Sequence, residues 1–184
     1  MDTVYRMCWL YVSNIYLAGG LYVAVYARIS RQVMAIRNAN PFNEIAMKHF
    51  TLSEFTRSAT AEKYGIENNP SDAQIQNIEC LCSLILDPLR EFIGHPIYIT
   101  SGFRVPRLNR LVGGSITSAH KDGLAADFRV GDKDYLLDWA WCLLKSPSRE
   151  FWRRIDQCIY YREKHFIHVS LPRDGKARHQ FWME

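Results

Sequence analysis

This 184-residue chain has no CxxC pair, no dense lysine and arginine stripe, no internal repeat and no low-complexity tract. Each absence closes off a class. The five cysteines (Cys8, Cys80, Cys82, Cys142 and Cys158) are odd in number and lack ligand spacing, so most read as small buried hydrophobes. That favours a reducing compartment, at least while the chain is made. The net charge of +4 is mild, and without a basic stripe nucleic acid is not an expected partner. A weakly basic surface does suit an anionic polymer such as a cell wall.

What is present is ordinary in bulk. At 48% hydrophobic and 23% charged residues, the chain can bury a real core, and its length fits one domain with or without an appendage. Residues 7–27 carry no charge between Arg6 and Arg28 and are long enough for a span of about 20 residues. Four tyrosines, Ser13, Asn14 and the Gly19-Gly20 pair make that run a poor match to lipid. Three readings of residues 1–46 stay open. They are a membrane anchor or a signal peptide cleaved after Val25-Tyr26-Ala27, a packed extension, or upstream translation before a start near Met34 or Met47. As an uncleaved anchor, Arg28, Arg31 and Arg37 would keep the next domain on the cytoplasmic side. The compact domain is expected over residues 47–184.

Within it, Ser53 is a candidate N-cap for a short helix around Leu52–Phe55. Apolar residues from Ile75 to Phe92 recur at spacings of three and four, which predicts a helix over 72–92. Ser71 would cap it, Pro88 would kink or break it near Asp87, and Gly94 would end it. Strands are expected at Pro96–Thr100 and Ala125–Val130, a helical turn at Pro106–Leu111 and a helix at Asp134–Lys145. A final hairpin pairs Ile155–Tyr160 with Phe166–Leu171 across Tyr161–His165. Helices with a small mixed or antiparallel sheet make an α+β fold.

The most informative stretch is Ser118–Asp127. It sets His120 and Asp127 seven positions apart, with Gly123 allowing the backbone to reverse between them. Farther on, His168 alternates with Phe166 and Ser170 on one face of its strand. Two imidazoles and one carboxylate form a three-ligand set that suits Zn²⁺ and leaves a position open for water.

These residues stand in a recognisable order. Ile99-Thr100-Ser101-Gly102-Phe103-Arg104, Leu108-Asn109, Val112–Ser115, Ser118-Ala119-His120, Gly123–Asp127 and Ile167–Ser170 together resemble the zinc D-Ala-D-Ala carboxypeptidases. That family includes bacterial wall peptidases and phage endolysins and shares its fold with hedgehog signalling domains. Phe50–Phe55 and Asp156-Gln157 extend the resemblance over roughly residues 47–172. It implies a hedgehog/DD-peptidase-like fold, with His120, Asp127 and His168 as zinc ligands. Arg104 matches the arginine that holds substrate and stabilises charge, a task its paired donors suit. Ser118 matches the serine before the first ligand, placed to contact substrate or bridge the loop.

One position departs from the pattern. The family usually carries an acidic residue three before the final ligand as general base, and here that position is His165. A histidine can move protons near neutral pH, and Glu163 is the alternative if the loop folds back. A third reading places the base elsewhere or nowhere.

The resulting expectation is a zinc metallopeptidase that hydrolyses peptidoglycan stem peptides at a bond involving a D-amino acid, as a carboxypeptidase or an endolysin-type endopeptidase. It would be a monomer, made in the cytoplasm and acting in the periplasm or cell wall through phage lysis or export. The rival expectation is a zinc-stabilised wall-binding or interaction module that has lost catalysis.

Overall fold

The computed structural model describes residues 47–184, so the readings of residues 1–46 lie outside the described residues. Among the described residues, no helix is long and apolar enough to cross a membrane.

The chain enters through two one-turn helices, α1 (Leu52–Thr56) and α2 (Ala59–Lys63). The cap of α1 is Thr51 rather than Ser53, with the Thr51 N–H donating to Glu54 Oε1 at 3.0 Å. The acidic residue three positions after Thr51 closes a capping box that Ser53 cannot form.

The long amphipathic stretch is interrupted rather than simply kinked. Helix α3 (Asp72–Leu81) passes into a π-helical turn at Cys82–Leu86 and then into α4 (Asp87–Ile93). Proline in a helix interior lacks a donor and clashes with the preceding turn, whereas in the first turn of a new helix both problems vanish. Pro88 occupies that first-turn position in α4. Ser71 caps α3, its N–H bonded to Gln74 Oε1 at 2.8 Å, and Gly94 ends α4 in the left-handed region.

A five-stranded sheet follows: β1 (Ile97–Ser101), β2 (Ala125–Val130), β3 (Gln157–Tyr161), β4 (Phe166–Ser170) and β5 (Gln180–Met183). Their spatial order is β1-β2-β4-β3-β5, antiparallel except for the parallel β3–β5 pair. Helix α5 (Pro106–Leu111) and a 3-10 turn at Ala119–Asp122 lie between β1 and β2, and α6 (Asp134–Leu144) follows β2. The α+β class with a mixed sheet is therefore observed, with β5 as an additional edge strand. Arg178 tethers the segment leading into β5, with Nε 2.9 Å from Asp156 Oδ1, while the Gln180 N–H donates to the Asp156 carbonyl at 2.9 Å.

Alternation divides the sheet into two unlike faces. Ile97, Ile99, Ala126, Phe128, Val130, Cys158, Tyr160, Ile167 and Val169 are buried in the core with Leu137, Ala140 and Leu144 of α6 and with Ile85 and Leu89. Fully burying a side chain such as Phe128 contributes roughly 1.5–3 kcal/mol, so this face sets the register of β1 to β4. The opposite face then receives Asp127 and His168, which pair directly across β2 and β4. The core decides where the polar residues go.

Candidate metal centre

The Asp127–His168 pair is fixed by backbone, and His120 is brought to it by a tied loop. The His120 carbonyl accepts from the Arg104 N–H at 3.2 Å, and the Gly123 N–H returns to the same carbonyl at 3.3 Å. Gln74 Nε2 donates to the Lys121 carbonyl at 2.9 Å and Asn77 Nδ2 to the Asp122 carbonyl at 2.7 Å, so α3 clamps the turn. Gly123 ends it at φ +72°, and a Cβ there would stand 2.5 Å from the Gln74 carbonyl oxygen. Both the conformation and the close approach require glycine.

The three side chains converge. His120 Nε2 lies 3.2 Å from Asp127 Oδ1 and 3.3 Å from His168 Nδ1, and His168 Nδ1 lies 2.8 Å from Asp127 Oδ1. All three residues are buried, and one donor atom from each falls within 4.8 Å of the others.

The chemistry of these donors fits a cation. His120 Nδ1 is 2.6 Å from the Gly102 carbonyl, which can only accept, so Nδ1 carries the proton and Nε2 presents a lone pair. That lone pair faces a carboxylate oxygen, an arrangement of two acceptors that a metal ion would reconcile. Zinc bonds of about 2.0–2.1 Å at tetrahedral angles separate ligand atoms by about 3.3 Å, close to the spacings here. A ligating histidine whose other nitrogen is fixed by a backbone carbonyl is also the usual outer-shell arrangement.

Charge points the same way. Burial pushes His120 below its ordinary pKa, toward the neutral form that ligates, against the pull of Asp127. Burial would raise Asp127, but positive charge and donated protons at His120 and His168 outweigh it and hold the carboxyl well below the usual range. That role would pass to the cation where those nitrogens present lone pairs. Arg104 adds a salt bridge, with Nη2 2.8 Å from Asp127 Oδ2, while its Nε donates to Ser101 Oγ at 2.9 Å.

The structure thus gathers His120, Asp127, His168 and Arg104. Ser118 is half-buried at the start of the 3-10 turn, two residues before His120, and its backbone helps to form that turn. His165 and Glu163 are not gathered. Both are exposed in the β3–β4 turn, His165 at φ +54° with Nδ1 3.4 Å from Asp134 Oδ1 at the start of α6. Helix α6 packs on the core side of the sheet, so this contact draws His165 away from the face that carries His168.

Sequence reasoning missed Asn68, which it read only as part of a loop. Buried Asn68 donates to the carbonyls of Thr56 and Phe103, both at 2.9 Å, and accepts from the Val105 N–H at 2.9 Å. It braces the backbone on both sides of Arg104. A chain-remote amide bonding to three backbone groups leaves no local pattern to read.

Two comparisons bear on this arrangement. No curated protein matches the chain. A family model described as Peptidase M15 matches residues 48–170, a stretch that contains all four gathered residues. The chain therefore belongs to the M15 peptidases, the zinc D-Ala-D-Ala carboxypeptidase family, whose members are zinc metallopeptidases.

Proposed function

We propose that this protein is a zinc peptidase of the bacterial cell wall, cutting peptidoglycan stem peptides at a bond that involves a D-amino acid. The observation that carries the reading is the buried convergence of His120, Asp127 and His168, with the proton of His120 committed to the Gly102 carbonyl. Those three side chains would hold the metal. Zinc, when bound, supplies a Lewis acid that polarises a scissile carbonyl and activates water for attack.

The chain's own residues supply orientation. Arg104 spends one N–H on Asp127 and one on Ser101, and the rest of its five N–H groups stay available for a substrate carboxylate or a developing negative oxygen. The same guanidinium fixes which oxygen of Asp127 faces the two imidazoles. Ser118, at the start of the turn that carries His120, would contact substrate or bridge the loop. The mildly basic chain suits an anionic wall.

The test is direct. Full-length protein loaded with zinc should release D-alanine or cut stem peptides from purified peptidoglycan, and a chelator should abolish the release. Free D-alanine marks a carboxypeptidase, whereas shortened cross-links mark an endopeptidase. Stoichiometric zinc with no product from wall or from synthetic stem peptides would refute the peptidase reading and leave the metal-stabilised binding module.

A further inference from the structure

The pairing of β3 with β4 places one more polar group beside the three ligands. Ile159 lies opposite His168, and Tyr161 lies opposite Phe166. Directly opposed residues in an antiparallel pair share a face, and successive residues alternate between faces. Tyr161 is therefore on the His168 face, as its diagonal neighbour. Such neighbours stand about 7–8 Å apart, within reach of an aromatic side chain.

The adjacent tyrosine is a built-in contrast. Tyr160 is buried on the core face, and its hydroxyl donates to Asp138 Oδ1 at 2.8 Å. Tyr161 is half-buried, and its hydroxyl has no hydrogen-bond partner among the described residues. Its ring is nevertheless held. It stacks on Phe166 with centroids 4.5 Å apart, and Lys164 Nζ lies 5.0 Å from its centroid. A fixed ring with a free hydroxyl is a preorganised donor, the kind of group that is worth most where charge develops. Burial, together with the negative charges of Glu184 and Asp127, raises the Tyr161 pKa, so the phenol keeps its proton at neutral pH.

We propose that Tyr161 contacts substrate in this site, its hydroxyl donating a hydrogen bond to the carbonyl oxygen that becomes negative during attack. This rests on the peptidase reading above. His165 is drawn to Asp134 and Glu163 is exposed in the turn, whereas the strand register turns Tyr161 toward that face. The ring packing would survive replacement by phenylalanine, so Tyr161→Phe removes the donor and little else.

The experiment compares the zinc-loaded full chain with Tyr161→Phe in three measurements. These are zinc content, steady-state hydrolysis of a stem peptide ending in D-Ala-D-Ala, and calorimetric binding of the phosphinate analogue of that peptide. The expected result is unchanged zinc, KM within about twofold, kcat lower by about tenfold to a hundredfold, and phosphinate binding weakened by a similar factor. Equal kcat and equal phosphinate affinity in an active enzyme would overturn the role of Tyr161 and leave the peptidase reading intact. Tyr161-dependent phosphinate binding without any hydrolysis would overturn the peptidase reading and leave Tyr161 as a ligand contact only. A wild type that neither binds the phosphinate nor cuts the peptide would overturn both.

Discussion

The histidines of two histidine–aspartate pairs lie three residues apart in the chain, one at the middle of β4 and one at the turn before it, and only one pair is the start of a site. His168 and Asp127 approach to 2.8 Å with side chains 11% and 12% exposed. His165 and Asp134 stand 3.4 Å apart with side chains 56% and 86% exposed. The residue types are the same, so chemistry alone does not separate the pairs. The first is clamped by strand pairing, joined by His120 and backed by Arg104. The second joins a turn to a helix end in water, where an ion pair is worth about 0–1 kcal/mol and is screened by salt. Convergence enforced by backbone, rather than the presence of an imidazole and a carboxylate, makes the difference.

The sharpest way to break the contrast is to remove a member of the buried set. His120→Ala should abolish stoichiometric zinc binding and reduce peptide hydrolysis by about a thousandfold or more, since two protein ligands do not complete a catalytic zinc site. Metal analysis of the purified variant, with turnover on a stem peptide, checks both. Retained zinc at wild-type stoichiometry would show that the metal sits elsewhere. One layer out, Arg104→Lys keeps the charge but loses the fork that spans Asp127 and Ser101. A fall of about tenfold to a hundredfold in zinc affinity or activity is expected for such an outer contact. A competitive chelator titration beside kcat/KM would show which quantity moves.

Much of this arrangement was legible in the sequence. The apolar spacing, Ser71 and Gly94 marked the long helical stretch, and β2 is observed at Ala125–Val130 as expected. His120, Gly123 and Asp127 were readable because a tight reversal leaves a local signature. Other features depended on long-range partners. The four-residue, largely exposed β5 exists through its pairing with β3 and its tether to Asp156, and so short an edge strand leaves little pattern of its own. The register of the hairpin was equally hidden. The turn was expected to begin at Tyr161, but that residue is the last of β3, and the shift carries the meaning. With period-two alternation, one residue decides which face a side chain occupies. That one residue of register puts Tyr161, opposite Phe166, on the His168 face.

A stability measurement sharpens the comparison from the scaffold side. Asn68→Ala removes a donor to the buried Phe103 carbonyl and the part-buried Thr56 carbonyl, and the acceptor of the Val105 N–H beside Arg104. Leaving one buried and two part-buried backbone groups without this partner should cost about 1–3 kcal/mol in urea unfolding. The loop that positions Arg104 should loosen, so a further loss of activity of a few-fold is expected. A variant as stable as wild type would mean that water replaces the amide and that the brace is dispensable.

The smallest effect is expected at the exposed pair, and there a near-null result is the informative one. His165 faces Asp134 and solvent, and Glu163 is exposed in the same turn. If proton transfer passed through either, His165→Ala or Glu163→Gln would lower kcat by about a hundredfold or more and remove a limb of its pH profile. The geometry predicts instead a change within about twofold in each variant, with zinc content and the pH profile unaltered. The residue with φ +54° is the one structural reason for a small shift, because a non-glycine there carries some backbone strain. His165→Gly should relieve that strain and stabilise the turn slightly, while activity stays put. A large loss in any of these variants would mean that the turn folds back over the metal centre when substrate binds. The two histidine–aspartate pairs would then belong to one site after all.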